Sequence, residues 1–124
     1  MNSKVIMAIR IVLGLILIIF GANKFVGFMP APELSEVANN FWSALANTGY
    51  IFPLMGFIEV IAGLLLVIKK WVPFALILFA PIAVNFMFFH LVLAPSSIGP
   101  AALASVLTII LIYSNWDNYK TLFN

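Results

Sequence analysis

Four long runs of apolar residues alternate with short polar connections along this chain of 124 residues. The runs cover about residues 5–24, 50–68, 71–93 and 98–114. Each is close to the roughly 20 residues that a helix needs to cross the hydrocarbon core of a bilayer. Lipid offers the backbone no hydrogen-bond partners, so a spanning segment of this length folds as a helix. The pattern predicts an all-α integral membrane protein, with one transmembrane four-helix bundle over residues 1–124.

The connection between the first two spans has a different pattern. From about residue 32 to residue 47, apolar residues recur at helical spacing on one face and polar residues fill the other. Pro32 suits the first turn of a helix, and Glu33 and Glu36 suit the positive end of its dipole. We expect a short amphipathic helix in the membrane interface, with its apolar face, including Trp42, against the bundle or the lipid.

The basic residues predict the orientation of the bundle. Most of them fall on one side of the predicted membrane: Lys4, Lys69, Lys70 and Lys120. Lys24 falls on the other side. Positive residues concentrate on the cytoplasmic side, so we expect cytoplasmic termini and an extracytoplasmic amphipathic helix. The first run also resembles a secretory signal, but its candidate cleavage site near Gly21 is poor, so we expect a retained helix.

Composition agrees with a membrane location and excludes several kinds of site. Hydrophobic residues make up 65% of the chain and charged residues 8%. The chain has no cysteine, which excludes a dithiol relay and a thiolate metal site. Its single histidine, His90, excludes a zinc site built from a histidine cluster of one chain. The net charge of +2 is too small to indicate nucleic-acid binding. We therefore predict no metal site and no self-contained catalytic centre.

Glycines and charged residues share one face in each of two spans. These residues are Arg10, Gly14, Gly21 and Lys24 in the first span, and Gly56, Glu59 and Gly63 in the second. Small residues let two helix backbones approach closely. We expect both faces to look into the bundle and to carry their charges with them.

Glu59 lies near the middle of its span, where an acid costs roughly 2.5 to 3.5 kcal/mol on insertion scales. Three interpretations remain open. Glu59 forms a buried structural ion pair with Arg10, or it is the base of a ligand or proton site, or it is protonated and bonded to a backbone carbonyl. The first of these would fix the register of the two helices.

Further polar residues collect in the outer half of the predicted bundle. Lys24, Asn85 and His90 lie there, with Trp42 above them. Alternatively, Lys24 extends its amine to the interface and His90 is an ordinary interfacial histidine. An apolar wall of the site could come from Phe86, Phe88 and Phe89. Phenylalanines in a span are also typical of a lipid-facing surface. The candidate ligand-binding residues are therefore Lys24, Trp42, Glu59, Asn85 and His90, in a pocket that opens outward.

Several of these residues form short motifs that resemble the DoxX family of small bacterial membrane proteins. The first-helix motif is Arg10 and Gly14 followed by Gly21-Ala22-Asn23-Lys24-Phe25. The second is Phe57-Ile58-Glu59 followed by Ala62-Gly63-Leu64, and Asn85-Phe86 with His90 resembles the third. The resemblance implies four helices in the bacterial inner membrane. It also implies a link, in some members, to quinone-dependent sulfur oxidation or to protection from oxidative stress.

These observations favour a quinone- or lipid-binding accessory subunit of a membrane redox or oxidative-stress system. On this hypothesis the chain is at most one subunit of a quinone-linked oxidoreductase, and a membrane or soluble partner protein carries the redox centre. Membrane lipid and a second copy of the chain are the other expected partners. Two alternatives remain: a small proton-coupled transporter that uses Glu59, and a purely structural or assembly protein.

Overall fold

The computed structural model describes residues 2–28 and 33–124. Within these two ranges the chain forms helices and no strand: α1 (Ser3–Val26), α2 (Glu36–Asn47), α3 (Ile51–Ile68), α4 (Val72–Val92), α5 (Gly99–Ser114) and α6 (Trp116–Tyr119). Short 3₁₀ turns at Pro95–Ser97 and Lys120–Phe123 precede α5 and follow α6.

Three of the described helices, α1, α3 and α4, are long and apolar enough to cross a membrane. The fourth candidate span is α5 together with the short helical segment after it, which is bent from α5 by 77°. With 16 residues, α5 reaches about 24 Å at a rise of 1.5 Å per residue. The protein is therefore a multi-pass membrane protein with three or four spans, and the predicted fold class is confirmed.

The four long helices close into a ring, because α1 and α4 each pack against both α3 and α5. Leucines from all four helices fill the centre: Leu13, Leu17, Leu66, Leu76 and Leu111. Many large apolar side chains remain on the outside of the ring, including Leu15, Phe57, Ile77 and Ile109. An outer surface of this kind suits lipid as the solvent.

The closest packing in the bundle is between α1 and α3, where the two glycine faces meet as predicted. Gly14 lies against Gly63, and Gly21 lies against Gly56. A Cβ atom on Gly63 would lie 2.6 Å from the Gly14 carbonyl oxygen, and one on Gly21 would lie 2.9 Å from the Gly56 carbonyl oxygen. No larger residue fits at these positions without moving a backbone.

The amphipathic helix α2 begins at Glu36 with Ser35 as its N-cap, whose side chain accepts a hydrogen bond from the Ala38 N–H at 3.3 Å. The predicted start at Pro32 lies outside the described residues. Ala38 is fully buried against Phe89 and Ala94, so α2 covers one end of the bundle. We call this the lid end. The terminal end is the opposite one, formed by the start of α1, the α3–α4 turn and α6.

Candidate functional site

An ion pair between Lys24 and Glu59 lies inside the bundle, between α1 and α3. The Lys24 Nζ atom donates hydrogen bonds to both carboxylate oxygens of Glu59, at 2.8 Å to Oε2 and 3.1 Å to Oε1. The Glu59 side chain is 1% exposed and the Lys24 side chain 10% exposed. The acid of the second span is therefore paired within the membrane, but with a different partner from the predicted one.

Of the three interpretations left open for Glu59, the ion pair with Arg10 is not the one that the structure has. Arg10 instead donates through Nη1 to the carbonyl oxygen of Leu66 and to that of Val67, the latter at 3.2 Å. In the antiparallel register set by the glycine contacts, Arg10 is level with Val67. Val67 is eight residues beyond Glu59 along α3, which is about 12 Å at 1.5 Å per residue. Arg10 is therefore too far from the carboxylate.

The direction of the side chains explains why Lys24 is the partner. The Cα–Cβ bonds of a helix tilt toward its N-terminus. In an antiparallel pair, the side chains of Lys24 and Glu59 therefore lean toward each other, whereas that of Arg10 leans away from Glu59. The Lys24 side chain passes Gly56 of α3, where the absence of a side chain leaves room for the aliphatic part of the lysine. A Cβ atom on Gly56 would lie 3.1 Å from the Lys24 Cβ atom.

Phe86 of α4 forms the floor of the site beneath Lys24. The Lys24 Nζ atom lies 5.1 Å from the centroid of the Phe86 ring, within the range of a cation–π interaction. An ammonium group has three N–H donors, and two of them go to Glu59. Within the described residues the third donor has no hydrogen-bond partner, so the site offers one free donor beside an aromatic face.

An aromatic cluster covers the site toward the lid end. The Trp42 ring of α2 lies 4.6 Å from the Phe52 ring of α3 and 5.6 Å from the Phe89 ring of α4, centroid to centroid. Phe52 is one helical turn from Gly56, and Phe89 is one turn from Phe86. The cluster is thus one turn above the ion pair. Trp42 therefore lies above the ion pair, Phe86 lies beneath Lys24, and Phe89 belongs to the aromatic cluster.

Two other predicted site residues point elsewhere. The exposed Asn85 side chain donates to the Pro81 carbonyl oxygen of its own helix at 2.9 Å. The Nδ1 atom of His90 lies 3.2 Å from Ser97 Oγ and 3.3 Å from the Ala94 carbonyl oxygen, in the connection to α5. Neither side chain contacts the ion pair in the part of the chain that the structure describes. Phe88 is also exposed on the outside of the ring.

A second polar feature, which the pattern along the chain does not indicate, is a cavity of about 850 Å³ at the terminal end. It is lined by residues far apart in the sequence, among them Lys4, Arg10, Lys69 and Trp116. In the sequence, Lys4 and Lys69 indicate orientation and Arg10 indicates a charge inside the first span, but only the packing of three helix ends shows that they share one cavity.

The fold and the ion pair define a small multi-pass helical membrane protein with a charged pair inside its bundle. The sequence profile of the DoxX family matches residues 5–92, more than half of the chain, and the chain therefore belongs to the DoxX family. The match covers α1 to α4 and ends where α4 ends. A search of curated proteins and a search of solved structures each found no match.

Proposed function

We propose that this DoxX protein binds the head group of an isoprenoid quinone at the lid end and serves a membrane redox system as a binding subunit. The observation that carries the proposal is the buried Lys24–Glu59 pair with an aromatic floor and an aromatic cover. Ligand sites combine mostly apolar walls with few polar groups that orient the ligand, and this ion pair with its aromatic neighbours has that composition.

The chemistry of a quinone head suits the groups present. Its carbonyl oxygens are acceptors without a charge, and the free N–H of Lys24 is a donor that can reach one of them. Its ring is flat, and Trp42, Phe52 and Phe86 offer faces on which it can stack. Entry requires Trp42 to shift, and Trp42 belongs to the short helix α2 rather than to a span.

Glu59 has a positioning role in this proposal. Both of its oxygens hold Lys24 Nζ, so the ammonium group keeps one orientation and its third donor keeps one direction. The chain has no cysteine. The proposal accordingly assigns quinone binding to this chain and the redox centre to a partner protein.

Tryptophan fluorescence tests the proposal. The chain has three tryptophans, so the variant Trp71→Phe/Trp116→Phe leaves Trp42 as the single reporter at the lid end. A short-chain ubiquinone analogue should quench Trp42 saturably. The matched protein, Trp42→Phe/Trp71→Phe, reports from Trp116 at the terminal end and should show only the linear quenching of a quinone dissolved in the micelle.

Variants of the ion pair show whether quenching reflects this site. Lys24→Met removes the donor, and loss of a hydrogen bond from a charged group should weaken the apparent affinity about tenfold or more. Lys120→Met, at an exposed lysine of the terminal end, should leave the affinity unchanged. Linear quenching of Trp42 and Trp116 with equal slopes, or equal affinity in the wild type and Lys24→Met, would contradict the proposal.

A transporter that cycles protons through Glu59 is the weaker alternative. The carboxylate is 1% exposed and both oxygens are held by Lys24. A proton-coupled carrier needs an acid that meets water from each side in turn, so the pair would have to break in every cycle. Proton-driven uptake into vesicles that is lost in Glu59→Gln would favour this alternative over quinone binding.

A further inference from the structure

The cavity at the terminal end is a second polar site, separate from the Lys24–Glu59 site and not used by the proposed function. It has a volume of about 850 Å³ and lies where the first turns of α1, the α3–α4 turn and the end of α5 meet. Its lining includes the basic residues Lys4, Arg10 and Lys69 and no acidic residue.

None of the four acidic side chains of the sequence belongs to the lining of this cavity. Glu59 is paired with Lys24, and Asp117 is paired with Lys120 at 3.2 Å, outside the cavity lining. Glu33 and Glu36 lie before and in the first turn of α2, at the lid end. Three positive side chains therefore share a cavity whose described lining contains no acidic side chain, and they favour an anionic ligand.

Arg10 gives the cavity a rigid anion-binding group. Its side chain is nearly buried, and its Nη1 atom is held by the carbonyl oxygens of Leu66 and Val67. A guanidinium has five N–H donors in a planar fork. Its Nε and Nη2 atoms have no partner among the described residues. These two nitrogen atoms are also accessible from outside the protein. Among the described residues, the one buried side-chain nitrogen or oxygen atom without a hydrogen-bond partner is Ser105 Oγ.

Lys69 occupies a backbone conformation that favours glycine. It ends α3 with a φ of 58°, in the left-handed region. Glycine is the common residue at this position, because a Cβ atom is strained in the left-handed region. Lysine therefore costs stability at this turn, and it brings an ammonium group to the cavity.

The position of the cavity indicates the kind of anion. Ile6, Met7 and Tyr113 form the apolar side of the lining, and Trp116 also lines the cavity. Tryptophan and tyrosine are typical of the level of the lipid head groups. Arginine binds phosphate through two parallel hydrogen bonds, and lysines add point charges. Basic pockets between membrane helices bind anionic lipid head groups in this way.

We propose that the cavity formed by Lys4, Arg10 and Lys69 binds the phosphate group of an anionic phospholipid, whose acyl chains extend along Ile6 and Met7. The same phosphate chemistry is offered by a soluble phosphate ester. The apolar side of the cavity and its position at the membrane interface favour the lipid.

Lipid titration of the detergent-solubilised full chain, followed by native mass spectrometry, tests this proposal. Phosphatidylglycerol is compared with phosphatidylcholine, and glycerol phosphate is the soluble arm. We expect phosphatidylglycerol to stay bound to the protein under conditions that remove phosphatidylcholine. Glycerol phosphate should show no comparable binding. Equal retention of the two lipids overturns it. Glycerol phosphate that competes with phosphatidylglycerol at similar concentration overturns the assignment to a lipid.

Two substitutions remove charge without touching the buried Arg10. Lys4→Gln and Lys69→Gly should each weaken phosphatidylglycerol binding about fivefold, the effect of one basic residue near an anionic surface. Lys69→Gly also removes the strain of a lysine in the left-handed region, so it should raise the melting temperature of the protein. A variant that is more stable but binds the lipid more weakly has not lost binding through misfolding. The matched control is Lys70→Gln, because Lys70 does not line the cavity. A loss in Lys70→Gln as large as that in Lys69→Gly overturns the proposal.

Discussion

At the scale of single residues, the partner of Glu59 is decided by side-chain reach rather than by charge. Arg10 and Lys24 carry the same charge and share a face of α1, yet only Lys24 reaches the carboxylate. Arg10 satisfies two carbonyl oxygens near the end of α3 instead. The partner of a long basic side chain in a membrane helix therefore depends on two things: the position of the residue along the helix axis and the direction in which its Cα–Cβ bond points.

The ion pair gives a prediction about stability. Lys24→Met and Glu59→Gln each leave the other residue buried without its partner, so each should lower the free energy of unfolding by about 3 to 5 kcal/mol. The double variant Lys24→Met/Glu59→Leu removes both charges and should regain most of this stability, measured by thermal unfolding in detergent. A double variant that is as unstable as the sum of the two single ones would contradict this account.

The same double variant separates structure from function. If the pair only holds α1 to α3, the stable double variant should keep the quenching of Trp42 by the quinone analogue. The proposed function predicts the opposite result, a folded protein that no longer binds the analogue. Circular dichroism of the same sample checks that the helix content is unchanged.

At the scale of elements, the contact between α1 and α3 depends on glycine. Gly63→Ala places a methyl group 2.6 Å from the Gly14 carbonyl oxygen and should force the two helices apart. We expect a loss of about 1 to 3 kcal/mol, the usual cost of overpacking. Gly99→Ala is the matched control, since a Cβ atom there meets nothing within 4 Å. Equal melting temperatures for the two variants in detergent would contradict the close packing of α1 and α3.

A hydrogen bond attaches the short helix α6 to the start of α4. The Tyr119 O–H donates to the Pro73 carbonyl oxygen at 2.7 Å, and the Tyr119 side chain is buried. Because an unsatisfied polar group in a buried contact costs stability, this hydrogen bond should help to hold α6 against the bundle.

Tyr119→Phe tests this attachment. The variant lacks the hydrogen bond and should be less stable by about 1 kcal/mol at neutral pH. Equal melting temperatures of the wild type and the variant in detergent would contradict this attachment.

At the scale of the whole molecule, charge is distributed unevenly between the two ends. The terminal end carries Lys4, Lys69, Lys70 and Lys120, whereas Lys24 near the lid end is neutralised by Glu59. By the positive-inside rule we propose that the terminal end faces the cytoplasm of a bacterial cell and that α2 lies outside it.

The absence of cysteine from the sequence makes this orientation testable. Asn40→Cys places a thiol on exposed α2, and Asn118→Cys places one on exposed α6. A membrane-impermeant maleimide should label intact spheroplasts at residue 40, and label residue 118 only after the membrane is permeabilised. The reverse pattern would invert the proposed topology.

The sequence by itself determined the class of this protein, its helices and the glycine faces on which α1 and α3 meet. These follow from local pattern, because apolar length sets a span and small residues at helical spacing set a contact face. The motifs around Lys24 and Glu59 also indicated the DoxX family, which the profile match confirms. The sequence does not determine which charges lie at the same depth, since a pattern along the chain does not contain the register between helices.

Only the tertiary structure decided which charges meet. The antiparallel register places Arg10 about 12 Å from the level of Glu59 and lets Lys24 reach it, and no spacing within one helix contains that information. The same holds for Asn85 and His90, whose side chains bond within α4 and to the connection after it. It also holds for the basic cavity, because Lys4, Arg10 and Lys69 become neighbours only when the ends of separate helices pack together.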